Sequence, residues 1–230
     1  MSAPIVAIGG GGFLMEDVRG LQERYILSLL RKRSAPPRVL YLGTASGDSE
    51  RARLRFMQLF TQLDCRPETL AFFPYEMKRD YAQAVLDADL VYVGGGNTVA
   101  MVAVWREFGF DVALREAWSG GTVLAGISAG ANCWFADYVT DSIPGGGVRA
   151  GLGWIDATFC PHLDGEAWRQ PILAGAARRP AYGAPDGVMM RFEGGRCVEA
   201  VTDRPKLAAV EVDAAGELVP TPTRLLADAG

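Results

Sequence analysis

Residues 123–132 read Val-Leu-Ala-Gly-Ile-Ser-Ala-Gly-Ala-Asn, an apolar run that leads without a break into the pattern G-x-S-x-G. The run 123–127 predicts a buried strand, and 129–135 predicts a helix that starts directly after it. A strand joined to a helix through G-x-S-x-G is typical of a nucleophile elbow, because small residues permit the tight turn. We therefore expect the hydroxyl of Ser128 to project above the end of a sheet.

The same alternation of apolar runs and amphipathic stretches extends to both sides of this segment. Further strands are predicted at 5–8, 38–42, 69–73, 90–93 and 158–160. Further helices are predicted at 18–30, 49–63, 81–86, 98–105, 111–118 and 165–177. This order predicts an α/β fold with a mostly parallel sheet flanked by helices on both faces. Beyond residue 188, short strands and a Gly194-Gly195 turn predict an antiparallel C-terminal flank. The whole chain, 1–230, is predicted to be one domain.

Composition excludes several classes of protein. The 230 residues carry a formal net charge of −4, which gives no support for a nucleic-acid partner, and we interpret the arginine-rich run 51–55 as a solvated helix face. No long uninterrupted apolar stretch is present, so we expect no membrane span, and the first residues resemble a strand rather than a signal peptide. Four widely spaced cysteines favour a reducing compartment, hence a cytoplasmic protein.

Residue counts also limit the chemistry. The chain has one histidine, His162, and no CxxC pair, so we expect no metal site and no cofactor. The glycines at 9–12 follow a strand but lack the G-x-G-x-x-G spacing of a dinucleotide site, which leaves a tight turn or a loop that lines a site. The glycines at 94–96 precede a helix, where they form either a plain turn or a loop that binds an anion.

A serine nucleophile needs a base, and His162 is the only imidazole in the chain. A carboxylate should orient that imidazole from its other nitrogen. The candidate carboxylates are Asp137, Asp141, Asp164, Glu166 and Asp186. Asp186 lies in a Pro-Asp-Gly turn before a predicted strand, which is a suitable position, but the residues alone leave the choice open.

Three motifs in this order resemble the dipeptidase E / cyanophycinase family of serine peptidases. They are GGGNT at 94–98, GISAGAN at 126–132 and CPHLDGE at 160–166. CWF at 133–135 and GAPDG at 183–187 are most similar to the short peptidase E-like bacterial branch.

The resemblance implies a fold related to the class I glutamine amidotransferases. It also implies Ser128 as nucleophile, His162 as base and Asp186 as the acid, with Asp141 as the rival for that last role. The backbone N–H groups of Gly96 and Ala129 would form the oxyanion hole.

Hydrolysis of dipeptides or short peptides is the activity that this resemblance implies. Family prototypes cleave dipeptides with an N-terminal aspartate, and we expect Asn97 and Arg169 to bind substrate, Arg169 because a guanidinium suits a carboxylate. Broader exopeptidase specificity is the alternative. A cyanophycinase-like hydrolase of the same fold and a non-catalytic binding protein are the rival functions. Assembly as a homo-oligomer is left open.

Overall fold

The structure is a computed structural model that describes residues 3–15, 20–31, 35–74 and 80–227. Its strands are β1 (Ile5–Ile8), β2 (Arg38–Leu42), β3 (Arg66–Leu70), β4 (Leu90–Val93), β5 (Val123–Ile127), β6 (Phe135–Thr140), β7 (Gly147–Ala150), β8 (Ile155–Cys160), β9 (Ala181–Gly183), β10 (Val188–Glu193), β11 (Arg196–Thr202), β12 (Val210–Val212), β13 (Leu218–Pro220) and β14 (Thr223–Leu225). Its α-helices are α1 (Leu21–Ser28), α2 (Glu50–Phe60), α3 (Tyr81–Leu86), α4 (Thr98–Glu107), α5 (Phe110–Ser119), α6 (Ala129–Asn132) and α7 (Arg169–Ala174).

Within the described ranges the strands form two sheets. The larger sheet has eight strands in the order β14-β11-β10-β1-β5-β4-β2-β3. From β1 to β3 all neighbours are parallel, whereas β10 and β11 form an antiparallel pair that joins the other side of β1. The expected parallel sheet with an antiparallel C-terminal flank is therefore confirmed. Every residue of β1, β4 and β5 is buried, which explains their continuous apolar sequences.

Helices flank the sheets, and α2 shows why the sequence places them there. The Ser49 side chain caps its start by accepting a hydrogen bond from the Ala52 N–H. Phe56 and Phe60 stack on each other on its buried face, with ring centroids 4.4 Å apart. Phe56 also stacks on Tyr41 of β2, so this helix is fixed against the strand that precedes it.

The second sheet is the main feature that the sequence analysis did not predict. It has six strands in the order β13-β12-β9-β8-β6-β7. The helix expected at 129–135 ends at Asn132, because Phe135 already begins β6 and pairs with Ile155 of β8. Strand β7 is a partly exposed edge strand without an apolar run, so its sequence carries little strand signal.

Smaller corrections concern the bounds of predicted elements. The strand expected at 69–73 lies at Arg66–Leu70, where β3 is a half-exposed edge strand with weak apolar periodicity. The helix expected at 165–177 shortens to α7. The first part of the helix expected at 18–30 lies outside the described residues, and α1 covers the rest. No helix in the described part of the chain combines the length and the apolar character needed to cross a membrane.

Helix α1 buries a carboxyl group that makes stability depend on pH. Glu23 is 1 % exposed. Burial raises the pKa of its carboxyl from 4.5 to about 7, and the nearby charge of Asp203 adds to this rise. The folded chain therefore keeps a proton that the unfolded chain loses between these two values. Because the unfolded state then binds fewer protons, the free energy of unfolding falls as the pH rises through this window.

Glu23→Gln should remove this dependence, since an amide resembles the protonated acid but does not titrate. Above the folded pKa the variant should be more stable than the wild type by up to about 3 kcal/mol, and the gap should close below the unfolded pKa. Denaturant unfolding at several pH values measures the difference. Glu116→Gln, an exposed change on α5, is the matched control. A wild type and a Glu23→Gln variant with parallel pH profiles would contradict the prediction.

Candidate active site

Ser128 occupies the tight turn between β5 and α6. Its backbone φ of 55° is in the left-handed region, where non-glycine residues are uncommon. A Cβ built on Gly126 would overlap the backbone of Gly130, and one built on Gly130 would overlap that of Val93. The turn therefore requires a glycine on each side of the serine, as the pattern G-x-S-x-G has them.

The Ser128 hydroxyl belongs to a chain of two side-chain hydrogen bonds. His162 Nε2 lies 2.8 Å from Ser128 Oγ, and His162 Nδ1 lies 2.6 Å from Asp186 Oδ1. The hydrogen bond with His162 lowers the pKa of the Asp186 carboxyl below its ordinary value, against the opposing effect of burial. Asp186 is thus an ionised acceptor at neutral pH, and the imidazole can bridge it to the serine.

The end of β1 holds the three parts of this arrangement together. Along residues 8–10 the backbone oxygens accept hydrogen bonds, in order, from the N–H groups of Ser128 (2.9 Å), His162 (3.2 Å) and Gly187 (3.0 Å). β1 lies between β5, which leads into Ser128, and β10, which follows Asp186. The loop with His162 comes from β8 in the second sheet. Strand order therefore determines where the three side chains meet.

The glycines after β1 leave room for this meeting. A Cβ built on Gly10 would overlap Asp186 Oδ1 and the ring of His162, and one built on Gly9 would overlap the backbone of Pro185. Gly10 and Gly11 also line the cavity in front of Ser128. The structure therefore places this loop at the site, in agreement with the interpretation that residues 9–12 form a loop that lines a site.

The glycine loop after β4 lies on the other side of the serine. A Cβ built on Gly95 would be 3.4 Å from Ser128 Cβ. Gly96 has a φ of 138° and lines the same cavity. Its N–H donates to no other atom within the described ranges. Ala129 opens the first turn of α6, where backbone N–H groups have no intrahelical acceptor. Both N–H groups are therefore available to a ligand oxygen.

Asp141 does not contact the imidazole. Its side chain is 67 % exposed and lies 3.3 Å from Arg169, whereas His162 Nδ1 has Asp186 as its carboxylate partner. The remaining candidates are engaged elsewhere. Asp164 accepts from the backbone N–H of Asp186, and Asp137 pairs with Arg178. Of the carboxylates that the sequence left open, the structure brings Asp186 to His162.

The structure does not bring Arg169 to the cavity. Its side chain is buried, it pairs with Glu166 at 2.7 Å and with Asp141, and it donates to the Val139 carbonyl. Its guanidinium also lies over the ring of Trp168. A cation with these partners connects α7 to β6, and the expected contact of Arg169 with substrate stays a prediction.

Asn97 is likewise occupied within the protein. Its Oδ1 caps α4 by accepting from the Ala100 N–H at 2.9 Å, and its Nδ2 donates to the Ser142 carbonyl at 2.9 Å. Both ends of the amide therefore have partners, and the side chain does not line the cavity. Asn97 therefore caps a helix in the structure, and its substrate-binding role stays a prediction.

A cavity of about 490 Å³ opens in front of Ser128. Its walls include side chains from β2 and α2 that the sequence analysis did not assign to the site, namely Tyr41, Ser49 and Arg51. Arg51 belongs to the run 51–55. Its side chain is exposed, as expected for a solvated helix face, and it also lines the cavity. The carboxyl ends of β1, β2, β4 and β5 share one sheet edge, which was a signal that the loop after β2 would also reach the site. Across the described ranges, no group of three His, Cys, Asp or Glu side chains could hold a metal ion.

Comparison with known proteins identifies the family of this chain. Residues 5–199 match Peptidase family S51. The uncharacterized peptidase YgaJ of Bacillus subtilis (strain 168) is 40 % identical over 212 residues, which cover 90 % of this chain and 91 % of that protein.

Two crystal structures share the fold. A peptidase from an acI-B1 Actinobacterium superposes with a TM-score of 0.74 at 20 % identity, over 96 % of this chain and 98 % of that one. A protein from Listeria monocytogenes EGD-e, described as a candidate peptidase E, has a TM-score of 0.63 at 15 % identity, over 86 % and 98 % of the two chains. The family match and the close relative together show that the chain belongs to peptidase family S51, a family of serine peptidases.

Proposed function

We propose that this peptidase hydrolyses dipeptides or other short peptides with Ser128 as nucleophile, His162 as general base and Asp186 as the residue that orients the imidazole. The observation that carries the proposal is the continuous hydrogen-bonded chain from Ser128 Oγ through His162 to Asp186, at the wall of an open cavity. No metal or organic cofactor takes part in the proposed reaction.

In the first step His162 Nε2 accepts the hydroxyl proton while Ser128 Oγ attacks the carbonyl carbon of the scissile bond. Asp186 accepts the Nδ1–H hydrogen bond and stabilises the imidazolium that forms. The carbonyl oxygen gains negative charge, and the N–H groups of Gly96 and Ala129 donate to it. Preorganised donors of this kind usually contribute the largest share of stabilisation in acyl transfer.

In the second step the C–N bond breaks, and His162 gives its proton to the leaving amine. The acyl group remains bonded to Ser128 as an ester. A water molecule then loses a proton to His162 and attacks this ester, which releases the acid and restores the hydroxyl. His162 therefore serves as acid and base in turn, and Asp186 keeps the same imidazole orientation in both steps.

The size of the cavity supports short substrates. At about 490 Å³ it suits a ligand of a few residues rather than a polymer chain. An N-terminal aspartate and a broader set of N-terminal residues both remain within the proposal. All four cysteines are free thiols, which supports the proposed cytoplasmic location.

Removal of the nucleophile or the base should abolish turnover. We expect Ser128→Ala and His162→Ala each to lower kcat by about 10⁶-fold, because triad members act as a unit. Hydrolysis of a dipeptide panel measures this, with circular dichroism to show that the fold survives. Labelling of the wild type by a fluorophosphonate probe should disappear in Ser128→Ala. Undiminished hydrolysis by either variant would refute the proposed roles.

The identity of the acid is tested by a pair of matched variants. Asp186→Asn should lower kcat by about 10⁴-fold, because the amide favours the wrong tautomer of His162. Asp141→Asn, which changes an exposed carboxylate that pairs with Arg169, should have an effect of less than about tenfold. The reverse ranking would transfer the role to Asp141.

Gly10→Ala tests the space between β1 and the triad. The added methyl group would overlap Asp186 and His162, so we expect their hydrogen bond to break and kcat to fall by about 10²-fold or more. Gly165→Ala is the control in the loop of His162, where the nearest atom to a new Cβ is 3.9 Å away. Equal activity in the two variants would show that the close approach at Gly10 is not required.

A further inference from the structure

A second group of polar side chains lines the cavity, and the proposed mechanism does not use it. Tyr41 comes from β2, and Ser49 and Arg51 come from the start of α2. Leu14 and Ile127 provide apolar wall in the same cavity. The cavity therefore combines the reactive groups around Ser128 with an additional polar patch and with surface suited to aliphatic atoms.

Tyr41 is buried to 1 % exposure, yet its hydroxyl has no hydrogen-bond partner among the described residues. A buried hydroxyl without a partner is unfavourable for the stability of the fold. The glycine loop after β4 packs directly against it, since a Cβ built on Gly94 would overlap this hydroxyl. Tyr41 also lines the cavity, so a bound ligand is one source of an acceptor for this hydroxyl.

Arg51 is the cation of the cavity wall. Within the described ranges its guanidinium makes no ion pair and no hydrogen bond with the protein, and its side chain is exposed. Arg55 on the same helix differs, since it donates to the Phe13 carbonyl. The five donors of Arg51 are therefore available to a bound molecule.

The electrostatics of this patch favour an anion. Ser49 caps α2, and the 11-residue helix directs the positive end of its dipole to the same side of the cavity. Acidic groups also lie close by and act against this preference. Glu50 is in the first turn of α2, and Asp48 Oδ1 is buried without a hydrogen-bond partner among the described residues. Asp48 accepts from the backbone N–H groups of Phe72 and Phe73, and Asp186 is bonded to His162.

We propose that Arg51 and Tyr41 bind a free carboxylate of the peptide substrate, an inference that rests on the proposed peptidase function. A guanidinium binds a carboxylate through two parallel hydrogen bonds, and a tyrosine hydroxyl can donate a third. The carboxylate is either the C-terminal group of a short peptide or the side chain of an acidic residue. In both cases the contact holds the peptide in the cavity while Ser128 reacts with its carbonyl carbon.

The test compares peptides that differ only in carboxylates. One dipeptide with neutral side chains is used as the free acid and as the C-terminal amide, and a third peptide is the same amide with an acidic N-terminal residue. For Arg51→Gln we expect the ratio of kcat/KM between a carboxylate peptide and the neutral amide to fall by about 10- to 100-fold, mainly through KM. Arg24→Gln, an exposed arginine of α1 outside the cavity, should leave every ratio unchanged.

The pattern of loss identifies the source of the carboxylate. A loss confined to the free acid assigns the subsite to the C-terminus, and a loss confined to the acidic amide assigns it to the side chain. Ratios that stay the same in Arg51→Gln as in the wild type would overturn the inference.

Binding separates this inference from the proposed function. The same peptides are titrated calorimetrically into Ser128→Ala, with and without Arg51→Gln. Tighter binding of a carboxylate peptide than of the neutral amide, lost with Arg51→Gln, supports the subsite even if the wild type hydrolyses none of them. Equal affinities would overturn the subsite even if the wild type is an active peptidase.

Tyr41→Phe tests the hydroxyl. Because the hydroxyl has no protein partner among the described residues, its removal should not lower Tm. If Tyr41 had only a structural role, Tyr41→Phe would also leave peptide binding unchanged. We expect the affinity of Ser128→Ala for the carboxylate peptide to fall by about 5- to 10-fold when Tyr41→Phe is added. Unchanged affinity would remove Tyr41 from the subsite.

Discussion

Three hydrogen bonds at the carboxyl end of β1 determine the geometry of the site. Consecutive backbone oxygens at residues 8–10 accept from the segments that carry the serine, the histidine and the acid. These segments come from β5, from β8 of the second sheet and from the turn before β10, so they are far apart in sequence. Because backbone atoms of one strand end hold all three, the relative positions of Ser128, His162 and Asp186 depend little on flexible side chains.

The turn that carries Asp186 is also held from its far side. The Gly187 carbonyl accepts from Gln22 Nε2 at 3.1 Å and from Thr202 Oγ1 at 2.9 Å. Gln22 belongs to α1 and Thr202 to β11, and both side chains are buried. The acid is therefore positioned by β1, by a helix and by the C-terminal hairpin. The antiparallel flank thus supplies one of the side chains that hold the turn of Asp186.

Much of this arrangement could be predicted from the sequence. The features that could not be predicted were hidden for physical reasons. Strands β1, β2, β4 and β5 have the predicted bounds, because they are almost entirely buried and therefore apolar, and each ends at a glycine or at Ser128. The second sheet was not predicted because four of its six strands have only three or four residues, and because the helix after Ser128 was expected to extend to the start of β6. The sequence did not show that Arg51 lines the cavity, because helical periodicity does not show which end of a helix faces the sheet edge. It also did not show that Arg169 is paired with Glu166 and Asp141, because periodicity does not identify the partners of a buried cation.

The proposed mechanism requires His162 to bridge an ionised Asp186 and the Ser128 hydroxyl. The chain has one histidine, so ¹⁵N NMR of the imidazole reports on this position without interference from a second histidine. At a pH where the ring is neutral, we expect a proton on Nδ1, donated to Asp186, and an unprotonated Nε2 that accepts from Ser128. A neutral ring with its proton on Nε2 would rule out His162 as the base, because such a ring could not accept the serine proton.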